Sequence, residues 1–357
     1  MKRLLLATLS ALCVLTGCAV PTATTATAPA GVCSSSHTTA SPTPTPAAGL
    51  TEINVDYLPI PDSAPLHIAK ACGFFTAEGL KANTTEIPAA DAALPGMTSG
   101  KVQFSLFNYV TAFYTHQRQP NLIKLVADAY QAEPGAFLLM ARKDSPFKSL
   151  ATLKQDLHGR QIRIGVASTA SVPTLTTEIT LKIAGLTKDD IKFVRIPLPE
   201  MPAAVERGSV HLGWEVEPFI TRHRSTAGAI MLADVCNGPT AQFPIAGWAV
   251  AGAWAAKNPS LVIRFQRALA RAQEIAAVDR GAVTKILPTY THGITAAIAS
   301  QIQLGTYPTT LNTTRVQRVG DAMVGAGYLT RSIDAHDLIW QAPSTTPSTA
   351  ASAGVTP

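Results

Sequence analysis

Charge is scarce in this 357-residue chain: Asp, Glu, Lys and Arg make up only 15% of it, against about a quarter in ordinary soluble domains. That composition, with 46% hydrophobic residues, argues for a folded extracytoplasmic protein over a disordered polyelectrolyte. Basic residues outnumber acidic ones by 29 to 23, but no long basic run occurs. The pI near 9.1 is therefore a surface background, and no nucleic-acid partner is expected. Catalytic signatures are missing as well: there is no G-x-S-x-G elbow, Walker loop, G-x-G-x-x-G or H-E-x-x-H. His67, His116, His158, His211, His223, His292 and His336 stand apart from any triad-like context. Cys and His nowhere take metal-ligand spacing, so neither a metal nor a cofactor is expected.

What is present begins with a leader. Met1-Lys-Arg precedes 12 mostly apolar residues, Leu4 to Leu15, which have the shape of a secretory signal and are too short to span a bilayer. Leu15-Thr-Gly-Cys18 looks like a bacterial lipobox, which implies cleavage before Cys18, lipid on its thiol and a mature chain anchored on the outer face of a membrane. Losing Lys2 and Arg3 leaves 27 basic and 23 acidic side chains, a net +4. Residues 19–49 are nearly all Ala, Thr, Pro and Ser, and Pro42-Thr-Pro-Thr-Pro46 favours extended geometry. They read as a tether, and residues 341–357 as a tail of the same composition. Of the five cysteines, Cys13 leaves with the signal, Cys18 carries lipid and Cys33 lies in the tether. Cys72 and Cys236 remain, either as a pair or as two buried thiols.

The folded span, residues 50–340, is long enough for two lobes. It is organised around Ile53 to Asn108. Ile53, Val55 and Tyr57 alternate with polar residues as in a half-buried strand, which Pro59 and Pro61 must end. Asp62 or Ser63 caps the helix that follows, Pro65 suits its first turn and Gly73 closes it. Further strands alternate with helices, which predicts a mostly parallel α/β sheet with ligands at the carboxyl ends of its strands.

The run Pro65-Leu-His-Ile-Ala-Lys-Ala-Cys-Gly-Phe-Phe-Thr-Ala-Glu-Gly-Leu80, followed by Ser99-Gly-Lys-Val-Gln-Phe-Ser105, resembles the solute-binding proteins of bacterial ABC importers in the sulfonate, taurine, nitrate and thiamine-precursor group. The similarity extends over about Glu52 to Trp340. It implies a two-lobed fold of the type II periplasmic-binding-protein kind, with a ligand cleft between lobes joined by a two-segment hinge. Residues 50–142 and 243–340 are expected to form lobe 1, and residues 143–242 lobe 2. Gly208-Ser-Val-His-Leu-Gly213 echoes Gly100-Lys-Val-Gln-Phe-Ser105, in keeping with two lobes built on one plan.

Cleft residues are expected at strand ends. In lobe 1 these are Pro59, Asp62, Phe107, Asn108 and Tyr109. In lobe 2, Ser168, Thr169 and Ser171 precede a helix with Pro173 in its first turn, whose free amides suit an anionic or polar group. Trp214-Glu-Val-Glu217 resembles the family's cleft-lining segment: Trp214 offers a flat apolar face, and Glu215 or Glu217 accepts hydrogen bonds from an amine or amide. Strand alternation puts Trp214 and Val216 on one face and the two Glu residues on the other. The expected function is that of a monomeric, lipid-anchored extracytoplasmic component of an ABC importer. It would capture a small organic solute, sulfonate-like or nitrogen-bearing such as a pyrimidine, for a permease and its ATPase. The alternatives are a ligand-sensing surface lipoprotein and an enzyme like the eukaryotic pyrimidine synthase of related fold, whose cysteine-rich motif is missing here.

Overall fold

The computed structural model describes residues 29–33 and 49–343. The expected signal segment, Cys18 and the tail beyond residue 343 lie outside the described residues. No described helix is long and apolar enough to cross a membrane.

Among the described residues there are ten strands: β1 Thr51–Tyr57, β2 Leu80–Glu86, β3 Phe104–Asn108, β4 Ile123–Gln131, β5 Phe137–Ala141, β6 Ile162–Val166, β7 Ile191–Arg195, β8 Leu212–Val216, β9 Ile230–Asp234 and β10 Pro244–Ala251. They build two five-stranded sheets, ordered β2-β1-β3-β10-β4 and β7-β6-β8-β5-β9. Four strands of each sheet run one way, as a mostly parallel arrangement predicts, and the fifth is reversed. In the first, β1 runs parallel to β2 and β3, but β10 is antiparallel to both of its neighbours. In the second, β6 is parallel to β7 and β8, while β5 is antiparallel to β8 and β9. The reversed strand in each sheet is the one that arrives from the other lobe. It enters from the cleft side, whereas its neighbours run toward the cleft. All eight residues of β10 and all five of β5 are buried, as suits strands covered on both faces.

This pairing moves the first lobe boundary. Phe137–Ala141 belongs to the second sheet, so the chain crosses over residues 132–136, before the boundary at 142 and 143 drawn from sequence. It crosses back over residues 235–243. A third segment, residues 302–307, runs beside the hinge. Gln131 and Thr306 exchange backbone bonds at 3.0 Å, and Gln303 N–H donates to Glu217 Oε1 of lobe 2 at 3.1 Å.

The helices used below are α1 Ala64–Ala71, α2 Tyr109–Arg118, α3 Val172–Ile183, α4 Met201–Glu206, α5 Phe219–Ala227, α6 Pro259–Val278, α7 Arg280–Ile286 and α8 Thr313–Gly325. In α1 the apolar residues Leu66, Ile68 and Ala69 are fully buried. Gly73 adopts φ 71° just beyond its end, a left-handed turn that suits glycine.

Cys33 does not lie in a free tether. It forms a disulfide with Cys72 at the end of α1, and Val32 beside it is completely buried in the core of lobe 1. The bond spans 39 residues, for which restriction of the unfolded chain contributes about 4 kcal/mol. Cys236 is a free, buried thiol, so the expected choice between a Cys72–Cys236 pair and two free thiols resolves into neither.

Candidate ligand cleft

The carboxyl ends of β1, β3, β6 and β8 converge on one cavity between the lobes. Its volume is about 50 Å³, well below the roughly 300–1,000 Å³ of small-ligand sites, so the lobes must part to admit an organic solute. Most of its wall is apolar, from Leu58, Ile60, Phe137, Val172, Leu198 and Ile245. Asp62, Asn108, Ser168, Ser171 and Trp214 also line it.

Asp62 is the polar centre of this wall. It lies in a short turn of helix, Pro61–Ser63, and is 1% exposed. It caps nothing: neither carboxylate oxygen has a hydrogen-bond partner. Ser63 does not cap through its side chain either, since its hydroxyl donates to Leu58 O at 2.7 Å. Two buried tyrosines hold the turn from behind. Tyr290 Oη donates to Ile60 O at 3.1 Å and Tyr307 Oη to Pro61 O at 3.0 Å. Burial pushes the Asp62 carboxyl up to about 7, because its charged form has lost water and its own backbone N–H offsets only part of that loss.

Asn108 caps α2, its Oδ1 accepting from Thr111 N–H and Oγ1 at 2.9 Å each. Its amide N–H groups and the Ser168 hydroxyl have no protein partner among the described residues. Ser171 Oγ donates to Ser168 O at 2.6 Å, and Trp214 Nε1 donates to Thr176 Oγ1 at 3.2 Å. Trp214 therefore offers the cavity ring surface and no donor. Among the described residues, no Lys, Arg or His lines the cavity.

The other expected residues lie elsewhere. Pro59 is buried outside the wall and Thr169 is exposed at the surface. Phe107 and Tyr109 are fully buried in lobe 1. The alternation along β8 turns Trp214 and Val216 into the cavity and Glu215 away from it. Glu215 Oε1 instead meets His223 Nδ1 of α5 at 2.8 Å, while His223 Nε2 meets Glu206 Oε1 of α4 at 3.0 Å. Burial lowers the basicity of this imidazole, but the hydrogen bonds and charges of Glu215 and Glu206 outweigh it and hold the pKa above its ordinary value. Glu217 accepts from Thr221 and from Gln303, so it ties lobe 2 to the segment beside the hinge.

The apolar wall has no local sequence signal. Phe137 and Ile245 sit on the strands β5 and β10 that bring the chain into each lobe, and an apolar strand residue carries no mark of which cavity it faces. The two-fold alternation of β8 was the one usable signal.

The lobes touch around the cavity. Thr111 Oγ1 donates to Ala170 O at 3.0 Å, Arg195 pairs with Asp91 at 3.1 Å, and Lys188 Nζ donates to Ala326 O at 3.0 Å. Each contact joins lobe 1 to lobe 2, so this is a closed arrangement.

Residues 47–287 match the model of the NMT1-like family, two-thirds of the chain. The chain belongs to the NMT1-like family. Riboflavin-binding protein RibY of Chloroflexus aurantiacus is 29% identical to it over 282 residues, covering 76% of this chain and 74% of that protein. Among solved structures, the alkanesulfonate-binding protein SsuA of Xanthomonas axonopodis pv. citri superposes with a TM-score of 0.66 at 16% identity, covering 82% of this chain and 99% of SsuA. The periplasmic nitrate-binding protein NrtA of Synechocystis PCC 6803 gives 0.68 at 14% identity, with coverages of 80% and 84%. The fold of this NMT1-like chain is thus that of the periplasmic binding proteins, with two lobes of five strands each.

Proposed function

We infer that the protein is the extracytoplasmic solute-binding component of an ABC importer. In this reading it closes over a small nitrogen-bearing organic solute and presents the closed form to a permease. The observation that carries the ligand chemistry is Asp62: a buried carboxylate with both oxygens unpartnered, facing an apolar cavity that no cation lines. Such a site favours a ligand that is largely apolar, offers N–H donors to Asp62 and accepts from Asn108 or Ser168. A planar heterocycle stacked on Trp214 meets these demands, and riboflavin, the ligand in the name of the RibY relative, is the first to test. Nitrate and simple sulfonates would bring a negative charge toward Asp62 with no Lys or Arg to meet it. The amides at the start of α3 favour a second reading, in which part of the ligand is anionic.

Closure adds contacts from both lobes at once, which is how a ligand shifts such an equilibrium. The Cys33–Cys72 disulfide supports an oxidising, extracytoplasmic location, and Cys18 would supply the lipid anchor.

A thermal-shift screen of residues 29–343 against riboflavin, pyrimidines, alkanesulfonates, nitrate and amino acids tests this reading. At about 100 times the dissociation constant a ligand adds about 2.7 kcal/mol, or about 4 °C for a chain of this size. Stabilisation by a nitrogen heterocycle, recovered unchanged by mass spectrometry, is the expected result. A shift with nitrate or sulfonate alone would refute the assignment of Asp62.

A further inference from the structure

Residues 29–33 are separated from the rest of the described chain by residues 34–48, yet they are built into lobe 1. Val32 is fully buried, its N–H donates to Pro29 O at 3.2 Å, and Cys33 is bonded to Cys72. Cys72 ends α1, which packs against α6 and α7 in the body of lobe 1. The chain therefore joins lobe 1 twice, once through sulfur at Cys72 and again through the backbone at β1. The first junction is the nearer to Cys18.

We propose that the Cys33–Cys72 disulfide is the working attachment of the lobes to the membrane anchor, so that cutting the chain between Cys33 and Gly49 does not release them. The proposal rests on the reading of Cys18 as the lipidated residue. Its geometric consequence is a short leash. Cys33 lies 15 positions after Cys18 and Thr51 lies 33 positions after it, so the greatest reach falls from about 115 Å to about 50 Å. A pull on the anchor passes to the end of α1 and leaves β1 unloaded. Residues 34–48 are mainly Ser, Thr, Ala and Pro and include no Val, Ile, Leu, Met or aromatic Phe, Tyr or Trp.

The test places a site-specific protease sequence at residues 38–44 of the full-length lipoprotein and cuts it to completion on its own membranes. The expected result is that the lobes stay with the membrane pellet after cutting. They leave it when dithiothreitol is added, which returns both thiols and is itself oxidised to its cyclic disulfide. The Cys33→Ser variant is expected to release the lobes on cutting alone. Release of the parent without reductant would overturn the proposal. So would retention that persists after reduction, since Val32 packing and not sulfur would then be the link. Uncut controls separate this from the anchor reading: the parent must pellet and Cys18→Ser must not. If the uncut parent does not pellet, the anchor reading fails, and the bypass is read on the nicked soluble chain. Its two pieces must migrate together on a non-reducing gel and part on reduction; pieces that part without reductant sink the proposal.

Discussion

Replacing Asp62 with Asn should stabilise the protein and impair its function in the same stroke. The carboxyl is buried without a donor, and its pKa stands at about 7 against an ordinary 3.8. A group whose pKa is raised by folding holds its proton more tightly in the folded state. Its contribution to stability is therefore complete below about pH 4 and drains away as pH climbs to about 7. About three pKa units correspond to at most about 4 kcal/mol of stability lost above neutrality. Asn fills the same space without a charge, so Asp62→Asn recovers that loss. Thermal melts of the ligand-free proteins should agree near pH 4 and diverge by about 6 °C at pH 8, with the variant higher. Titration calorimetry with the ligand identified by the screen should show the opposite preference. Losing a hydrogen bond to a charged group weakens binding by about 1.5–3 kcal/mol, or roughly 10- to 100-fold. If the two melting curves coincide at every pH, the carboxyl is not isolated from donors and the reasoning fails. If stability rises but affinity is untouched, Asp62 is merely a buried charge and not a ligand contact.

His223, clasped by Glu206 and Glu215, has a raised pKa, so its contribution is present below about pH 6.5 and lost as pH rises through the higher folded value. His223→Gln should flatten the alkaline fall of the melting temperature between pH 7 and 9, and an unchanged slope would exclude the imidazolium as its source. A methyl group at Gly305 would collide with Gln131 O and the Tyr130 ring. Gly305→Ala should therefore cost about 3 kcal/mol, seen as a lower urea midpoint; a neutral result would mean that the 302–307 segment shifts freely. Arg195 and Asp91 pair across the cleft mouth while partly exposed. Arg195→Ala should speed ligand release less than about five-fold and reduce its salt dependence, as stopped-flow would show.

Local rules carried the parts of the fold that local residues decide. Gly73 ends α1 because a left-handed turn there favours glycine, and Trp214 and Glu215 take opposite faces because a strand has a period of two. Asp62 was placed at the cleft, but as a helix cap it resembled any Asp before a helix. Its distinguishing feature, two oxygens without donors, exists only once Tyr290 and Tyr307 have come from more than 200 residues away to hold the turn. Cys33 looked like part of a Thr/Pro tether because nothing in its neighbours signals a partner 39 residues later. The reversed strands were likewise hidden. Direction within a sheet is set by where a strand enters it, and the sequence around β10 is simply apolar.

The placement of β10 between β3 and β4 has a consequence for the order in which the molecule assembles. Lobe 2 is one continuous stretch whose five strands are all made by residue 234. Lobe 1 is begun first yet stays split, with β3 and β4 lacking the strand that joins them, until residues 244–251 emerge. Its sheet depends on contacts between residues more than a hundred positions apart, the kind that form late. On a chain delivered from its N-terminus, the lobe started second is therefore the one that finishes first, and the last third of the polypeptide acts as the keystone of the lobe that bears the disulfide.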